Sequence, residues 1–388
     1  MSLHRSSAWP LTWVAVALIG YASLYPLTGW QWPVAGAFSW VLPKQATEQT
    51  KDLIENLLGY MPLGAIWCLA LLRSNWSVAA AALMALVCGS GLSYGMELTQ
   101  FALPMRTPSI SDWTLNTLGT AWGVLAAITA HALGLVDIWH RLREKWFIPQ
   151  AGFGLALMWL WPLGLLFPPP LPLAQGQLWP ALRLQMVEWT AGTPWQAPLL
   201  PTGDPLAIFS PVAGPLPVIH LMGAPLRDAV IVALGLLAPM CLACAVARPQ
   251  STRIVLLAGA LLMAVAGSTF SAVLNYGPDH FFTWISLSAV FGLLIGSVLG
   301  TFLLGRTRTG AALIGMTVLA ILVLMVHQIP PDPYYAQTLE AWEHGAFIRF
   351  HGLSRWFGLL WPFAAFLWLA ARVLTRALDM PHREPAPH

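Results

Sequence analysis

Apolar positions along this chain fall in long unbroken runs rather than in the alternation of a strand or the half-apolar stripe of a water-facing helix. A bilayer core needs roughly 20 apolar residues at 1.5 Å rise each. Runs of about that length lie near Trp9 to Pro26, Leu53 to Leu72, Ser77 to Leu98, Trp113 to Leu133 and Ala151 to Phe167. Five more follow near Ala229 to Val246, Ile254 to Leu274, Phe281 to Leu304, Ala311 to Val326 and Phe357 to Leu374. The pattern predicts an all-α, polytopic integral membrane helix bundle of about ten transmembrane helices. Two segments break it. Pro168 to Leu226 is rich in Pro and Trp, with a short interfacial helix expected at Leu182 to Trp189. Residues 330–356 carry helix-period apolar positions among Glu340, Glu343, Arg349 and Arg355, as in an extracytoplasmic amphipathic or re-entrant segment.

Composition agrees: 57% of the 388 residues are hydrophobic and 9% charged, against about a quarter charged in soluble domains. Charge then orients the bundle. Most of the nineteen basic residues sit on loops of one parity or next to the termini (Arg5, Arg73, Arg141, Arg143, Lys145, Arg248, Arg253, Arg306, Arg308, Arg372), while most of the sixteen acidic residues fall on the other side. Short basic loops stay in the cytoplasm, so both termini are expected inside. Arg5 before an apolar stretch imitates a secretory leader. No small-residue cleavage site follows, and Trp30 and Trp32 read as interfacial anchors, so the first helix is expected to be retained.

Cys68, Cys88, Cys241 and Cys244 all lie in apolar runs and read as small packing residues. No zinc site, P-loop or dinucleotide motif stands out, so no metal or cofactor and no nucleic-acid partner is expected.

Polar residues cluster in the first third, at the expected outer ends of three helices. Asp52, Glu55 and Asn56 open the second helix, with Asp52 and Asn56 one turn apart. Glu97 and Gln100 close the third. Arg106 sits in the loop, Ser109 and Ser111 precede the fourth helix, and Asp112, Asn116, Gly119 and Gly123 form one stripe along it. Helix caps and dipole partners account for some of these: Ser109 or Ser111 suits an N-cap, and Asp52 and Asp112 suit helix starts. Glu97 does not fit, because a helix C-terminus disfavours a carboxylate. Small residues such as Gly119 and Gly123 let a neighbouring backbone approach the polar pair.

Three ordered motifs carry a resemblance: D-x-x-x-N-x-x-x-x-x-P-x-G from Asp52 to Gly64, S-x-x-x-E-x-x-Q from Ser93 to Gln100, and R-x-x-S-x-x-D-x-x-x-N-x-x-G from Arg106 to Gly119. Residues 9–135 resemble the VanZ-like membrane family, whose founding example is linked to teicoplanin resistance. The resemblance implies a membrane protein of the bacterial envelope and no particular enzymatic activity. It marks Asp52, Asn56, Glu97, Gln100, Arg106, Ser109, Asp112 and Asn116 as ligand-binding candidates, with Gly64, Gly119 and Gly123 as packing positions. Glu343, Arg349 and Arg355 are secondary candidates.

A weak internal repeat also appears. Lys51 to Ala70 resembles Arg227 to Ala243, and Gly89 to Ser93 shares a GSxxS with Gly267 to Ser271. The second half reads as a degenerate copy that has lost most of the polar residues. The expected organisation is a VanZ-like domain over 1–148, a helix and outer loop over 149–226, and a second bundle over 227–388. Three functions compete. The first is binding of a membrane lipid headgroup or a lipid-linked cell-envelope intermediate. The second is an intramembrane enzyme on such a lipid with Glu97 or Asp112 as base. The third is transport, which the scarcity of charge at mid-membrane depth disfavours.

Overall fold

The computed structural model describes residues 8–25, 29–33, 38–44, 50–149, 151–167, 169–199, 223–248, 250–329 and 348–378. Their regular structure is helical, with no named strand among them and one isolated bridge between Phe147 and Ala247. The helices are α1 (Ala8–Leu24), α2 (Thr50–Leu72), α3 (Val78–Gln100), α4 (Ile110–Ala132), α5 (Leu135–Trp146), α6 (Gly152–Leu165), α7 (Leu178–Trp189) and α8 (Gln196–Leu199). After them come α9 (Ala224–Val246), α10 (Gln250–Tyr276), α11 (Leu287–Phe302), α12 (Arg308–Val326) and α13 (Ile348–Leu378). Five are long and apolar enough to cross a membrane, and α4 with α5 adds a sixth if that pair, bent by 73°, is one span. Four shorter apolar helices lie at Leu11–Leu24, Asn56–Leu72, Gly152–Leu165 and Leu287–Phe302. Many large apolar side chains are exposed on these helices, among them Leu83, Val87, Trp122, Leu262, Leu294 and Val298. So much apolar surface suits hydrocarbon rather than water.

Each predicted apolar run falls on a helix, with differences at the ends. Residues 281–286 are not helical: Gly277, at φ 93°, and Pro278 interrupt the chain, and the Ser286 side chain caps α11 by accepting from the Ala289 N–H. The last helix begins at Ile348 instead of Phe357, so residues 348–356 continue into the apolar run as one helix. The expected Leu182–Trp189 helix starts at Leu178. The basic loop expected after α4 is instead the helix α5.

The chain forms two compact units, Met1–Arg143 and Glu144–His388. In the first, α2 packs most extensively on α4, with α3 and α1 alongside. The α2–α4 pairing is parallel: a Cβ on Gly119 would collide with the Leu57 carbonyl oxygen, one on Gly123 with that of Met61, and one on Gly64 with that of Thr120. Missing side chains at these three positions let the two backbones touch. In the second unit α9 is the centre. Every residue from Ile231 to Val246 except Leu234 is buried, as a helix apolar all round requires. It packs on α11 and α12, with α10, α6 and α13 around it. Gly292 and Gly296 bring α11 against the Ala229 and Ala233 carbonyls.

Candidate functional site

The first unit gathers its polar side chains where α2 and α4 begin and α1 and α3 end. Ser109 is the N-cap of α4, its hydroxyl accepting from the Ser111 N–H at 3.1 Å. Its own backbone N–H donates to Glu97 Oε2 at 2.9 Å. That explains a carboxylate at the C-terminal turn of α3: Glu97, buried, is disfavoured by its own helix and held by the positive start of the next. One turn on, the Asn56 amide of α2 donates to Asp112 Oδ1 of α4 at 2.8 Å, so two predicted site residues meet directly.

Arg106 reaches the end of α1. Its Nε and a terminal nitrogen donate to the Tyr25 carbonyl at 2.9 and 2.6 Å, and the latter also reaches the Ala22 carbonyl at 3.5 Å. Gln100 Nε2 donates to the Ser23 carbonyl at 3.1 Å. The last carbonyls of a helix have no partners within it, so both side chains close the end of α1.

Deeper in the unit, Asn116 Nδ2 donates to the Ser93 hydroxyl at 2.9 Å. Asn116 is 4% exposed, and its Oδ1 has no partner among the described residues. Turning the amide over would leave the nitrogen orphaned instead, so one half stays unmatched either way. Across from it stands Tyr60 of α2, also 4% exposed. Its hydroxyl faces Ser93, Ser23 and Glu97, yet none stands in hydrogen-bonding geometry to it. Sequence reasoning passed over Tyr60. The available signal was its place between Asn56 and Gly64, each one turn away on the same stripe, and the need of a buried Tyr hydroxyl for a partner. Ser93, present in a motif, was likewise not named as a site residue.

A second knot flanks this one: Trp113 Nε1 donates to the Ser90 hydroxyl at 3.1 Å, and Thr117 donates to the same hydroxyl at 2.9 Å. Above it the Tyr94 hydroxyl donates to the Trp40 carbonyl, the Ile110 N–H donates to the Pro43 carbonyl at 3.0 Å, and Phe38 packs edge-on to Phe101. Parts of the chain between α1 and α2 therefore lie against this end of the unit.

Three of the remaining candidates lie wholly or partly outside the described residues. Asp52 falls in the first turn of α2, and its side chain is outside the described residues. Glu343 is also outside them. Arg349 lies in α13 with its side chain undescribed, and Arg355, in the second unit, sets its guanidinium 6.0 Å over the Phe167 ring. Among the described residues no group of three or more His, Cys, Asp or Glu is placed to hold a metal.

These features define a helical membrane protein whose N-terminal unit carries a partly buried polar site. Residues 9–131 match the model of the VanZ/LLP1 family, so the N-terminal third is VanZ-like. No curated protein and no solved structure matches the chain.

Proposed function

We propose that the first unit binds the polar headgroup of a membrane lipid or a lipid-linked cell-envelope intermediate, in a bacterial cytoplasmic membrane that the chain crosses ten times with both termini inside. The observation that carries this reading is the pair of unmatched buried atoms, Tyr60 Oη and Asn116 Oδ1. Leaving a polar atom buried and unbonded costs about 1–3 kcal/mol, and such a cost is supported where a ligand group supplies the missing bond. Asn116 Oδ1 needs a donor. The site therefore favours a donor-rich headgroup, bearing hydroxyls or an amine. Binding of wall intermediates at this site would change glycopeptide susceptibility, the effect linked to the family.

The test is native mass spectrometry of the full chain from mild detergent. Wild type is expected to keep a lipid class defined by headgroup, and Asn116→Leu and Tyr60→Phe to lose it while remaining folded. Retention that follows only acyl-chain length, or is unchanged in both variants, overturns the reading. Conversion of the retained lipid on incubation would replace binding with the intramembrane enzyme.

The second unit supports a degenerate copy. Ser286 caps α11 as Ser109 caps α4, and Gly296 approaches Ala233 as Gly119 approaches Leu57. Helix α6 packs on α9 and α10 as α1 does on α2 and α3. In this alignment Val232, Leu236, Ala289 and Leu293 stand where the first unit has Asn56, Tyr60, Asp112 and Asn116.

A further inference from the structure

Helix α4 stops at a glycine for a local reason. Gly134, at φ 68°, takes the left-handed turn after Leu133, and its N–H donates to the His131 carbonyl at 3.0 Å. The chain then sets off 73° away as α5. A helix crossing the bilayer and turned by that angle runs nearly along the membrane surface.

The sequence of α5, LVDIWHRLREKW, fits that course. At about 100° per residue, Leu135, Ile138, Trp139, Leu142 and Trp146 form one stripe. Arg141 and Arg143 fall on its two edges, and Asp137 and Glu144 on the far side. Leu135, Ile138, Trp139 and Leu142 are exposed despite being apolar. No ion pair joins Arg73, Arg141 or Arg143 to a carboxylate among the described residues. Arg73, just past the end of α2, lies close enough to Arg143 for their charges to interact; burial first, and that neighbouring charge second, pull its guanidinium down from its ordinary range. Cations that feel each other's charge and pair with no carboxylate among the described residues gain from an anion supplied from outside.

We propose that α5 lies in the membrane interface at the end of the first unit opposite the Asn56–Asp112 pair, and that Arg73, Arg141 and Arg143 bind the phosphates of anionic phospholipids there. The apolar stripe enters the headgroup and acyl boundary. The arginines on its edges extend their stems over that surface and place guanidiniums at phosphate depth, where the planar fork meets two oxygens at once. The face has the chemistry of a lipid surface rather than of a protein partner: the apolar residues form a narrow stripe, both edges are basic, and the acidic residues point away. The inference needs only that α4 crosses a bilayer; it is independent of the headgroup site near Tyr60, and variants there leave it untouched.

The full chain is reconstituted in nanodiscs of mixed phosphatidylcholine and phosphatidylglycerol, and the lipids retained after gentle release are weighed by native mass spectrometry. Wild type is expected to enrich phosphatidylglycerol. Each basic residue at the surface contributes about fivefold, so Arg73→Gln with Arg143→Gln should cut the enrichment about thirtyfold. Arg73→Lys with Arg143→Lys, which keeps the charge, should retain most of it and shows that loss is not misfolding. Inorganic phosphate in excess should not displace the lipid. Equal enrichment in wild type and the Gln pair, or displacement by free phosphate, overturns the proposal. Spin labels at Leu135, Ile138 and Leu142 give a second arm. Equal shallow depths are expected. Depth changing steadily along α5 would make it the continuation of a span, and full water exposure of all three would assign the face to a soluble partner; either outcome refutes it.

Discussion

Tyr60 and Asn116 tie stability to binding in a way that single substitutions can separate. A hydroxyl buried without a partner destabilises the empty protein, so Tyr60→Phe should raise the unfolding midpoint in detergent, by an amount equivalent to about 1 kcal/mol, while weakening lipid retention. A lower midpoint would mean that the hydroxyl makes a structural bond and that the site is smaller than drawn. Arg106 makes the opposite case. Its bonds go to the carbonyls of Ala22 and Tyr25, and a hydrogen bond from a charged group is worth about 1.5–3 kcal/mol. Arg106→Ala should therefore destabilise by about 2 kcal/mol and speed hydrogen exchange at the end of α1, with Gln100→Ala adding less than its separate cost. Exchange faster at the start of α4 and not at α1 would show that Arg106 serves the acidic cluster instead. The residue types at the site were legible in the sequence because polar groups at apolar helix ends are conspicuous. Their partners were not. The spacing of the motifs could not register that the end of α1 presents carbonyls in need of donors, which Arg106 supplies, or that the start of α4 would offer the Ser109 N–H to Glu97.

At the scale of elements, the contact between α2 and α4 rests on absent side chains. Gly119→Leu and Gly123→Leu place a Cβ into carbonyl oxygens of α2, and overpacking of this kind costs about 1–3 kcal/mol, or more where backbone must move. Gly91, on the same unit's α3, has nothing within 4 Å of a would-be Cβ. Gly91→Ala should be neutral or stabilising, since Ala favours a helix by about 1 kcal/mol over Gly. A thermal shift assay on the three variants checks both directions, and equal destabilisation would show that any added volume in these helices is harmful whatever its contact. The stripe of Gly119 and Gly123 could be read in advance because it continues the face of Asp112 and Asn116, where small residues let a neighbouring backbone approach. Which helix approaches could not, since that depends on chain pairings far apart in sequence. Helix α5 escaped the same reading for a different reason. It is short and carries five charged residues, so a search for apolar runs sees only a basic loop, whereas its stripe at helical spacing appears once the turn at Gly134 fixes where it begins. The early start of α13 follows from the same blindness: residues 348–356 mix charge with apolar positions and fall below any threshold of pure hydropathy, yet they continue the helix.

For the whole molecule, the parallel pairing of α2 with α4 constrains how the chain threads the bilayer. Two neighbouring helices that start at the same end must be joined by one running back, and α3 does so; the bonds of Gln100 and Arg106 to the end of α1 put that end beside the starts of α2 and α4. Such an arrangement places 38–44 and the α3–α4 loop on one side and Arg73 and Arg143 on the other. In the orientation proposed from the distribution of basic residues, Arg73 and Arg143 are on the cytoplasmic side. The decisive measurement is a cysteine-accessibility scan of the full chain, with Cys68, Cys88, Cys241 and Cys244 first replaced. Cysteines at Lys44 and Pro108 should react with an impermeant reagent from outside intact cells, and those at Arg143, Arg248 and Arg308 only after permeabilisation. Labelling of Lys44 and Pro108 on opposite sides would break the parallel pairing itself. Labelling on one side but inverted would keep the fold and overturn the orientation, and the polar site would then face the cytoplasm, where a lipid-linked intermediate could be met before its transfer across the membrane instead of after it.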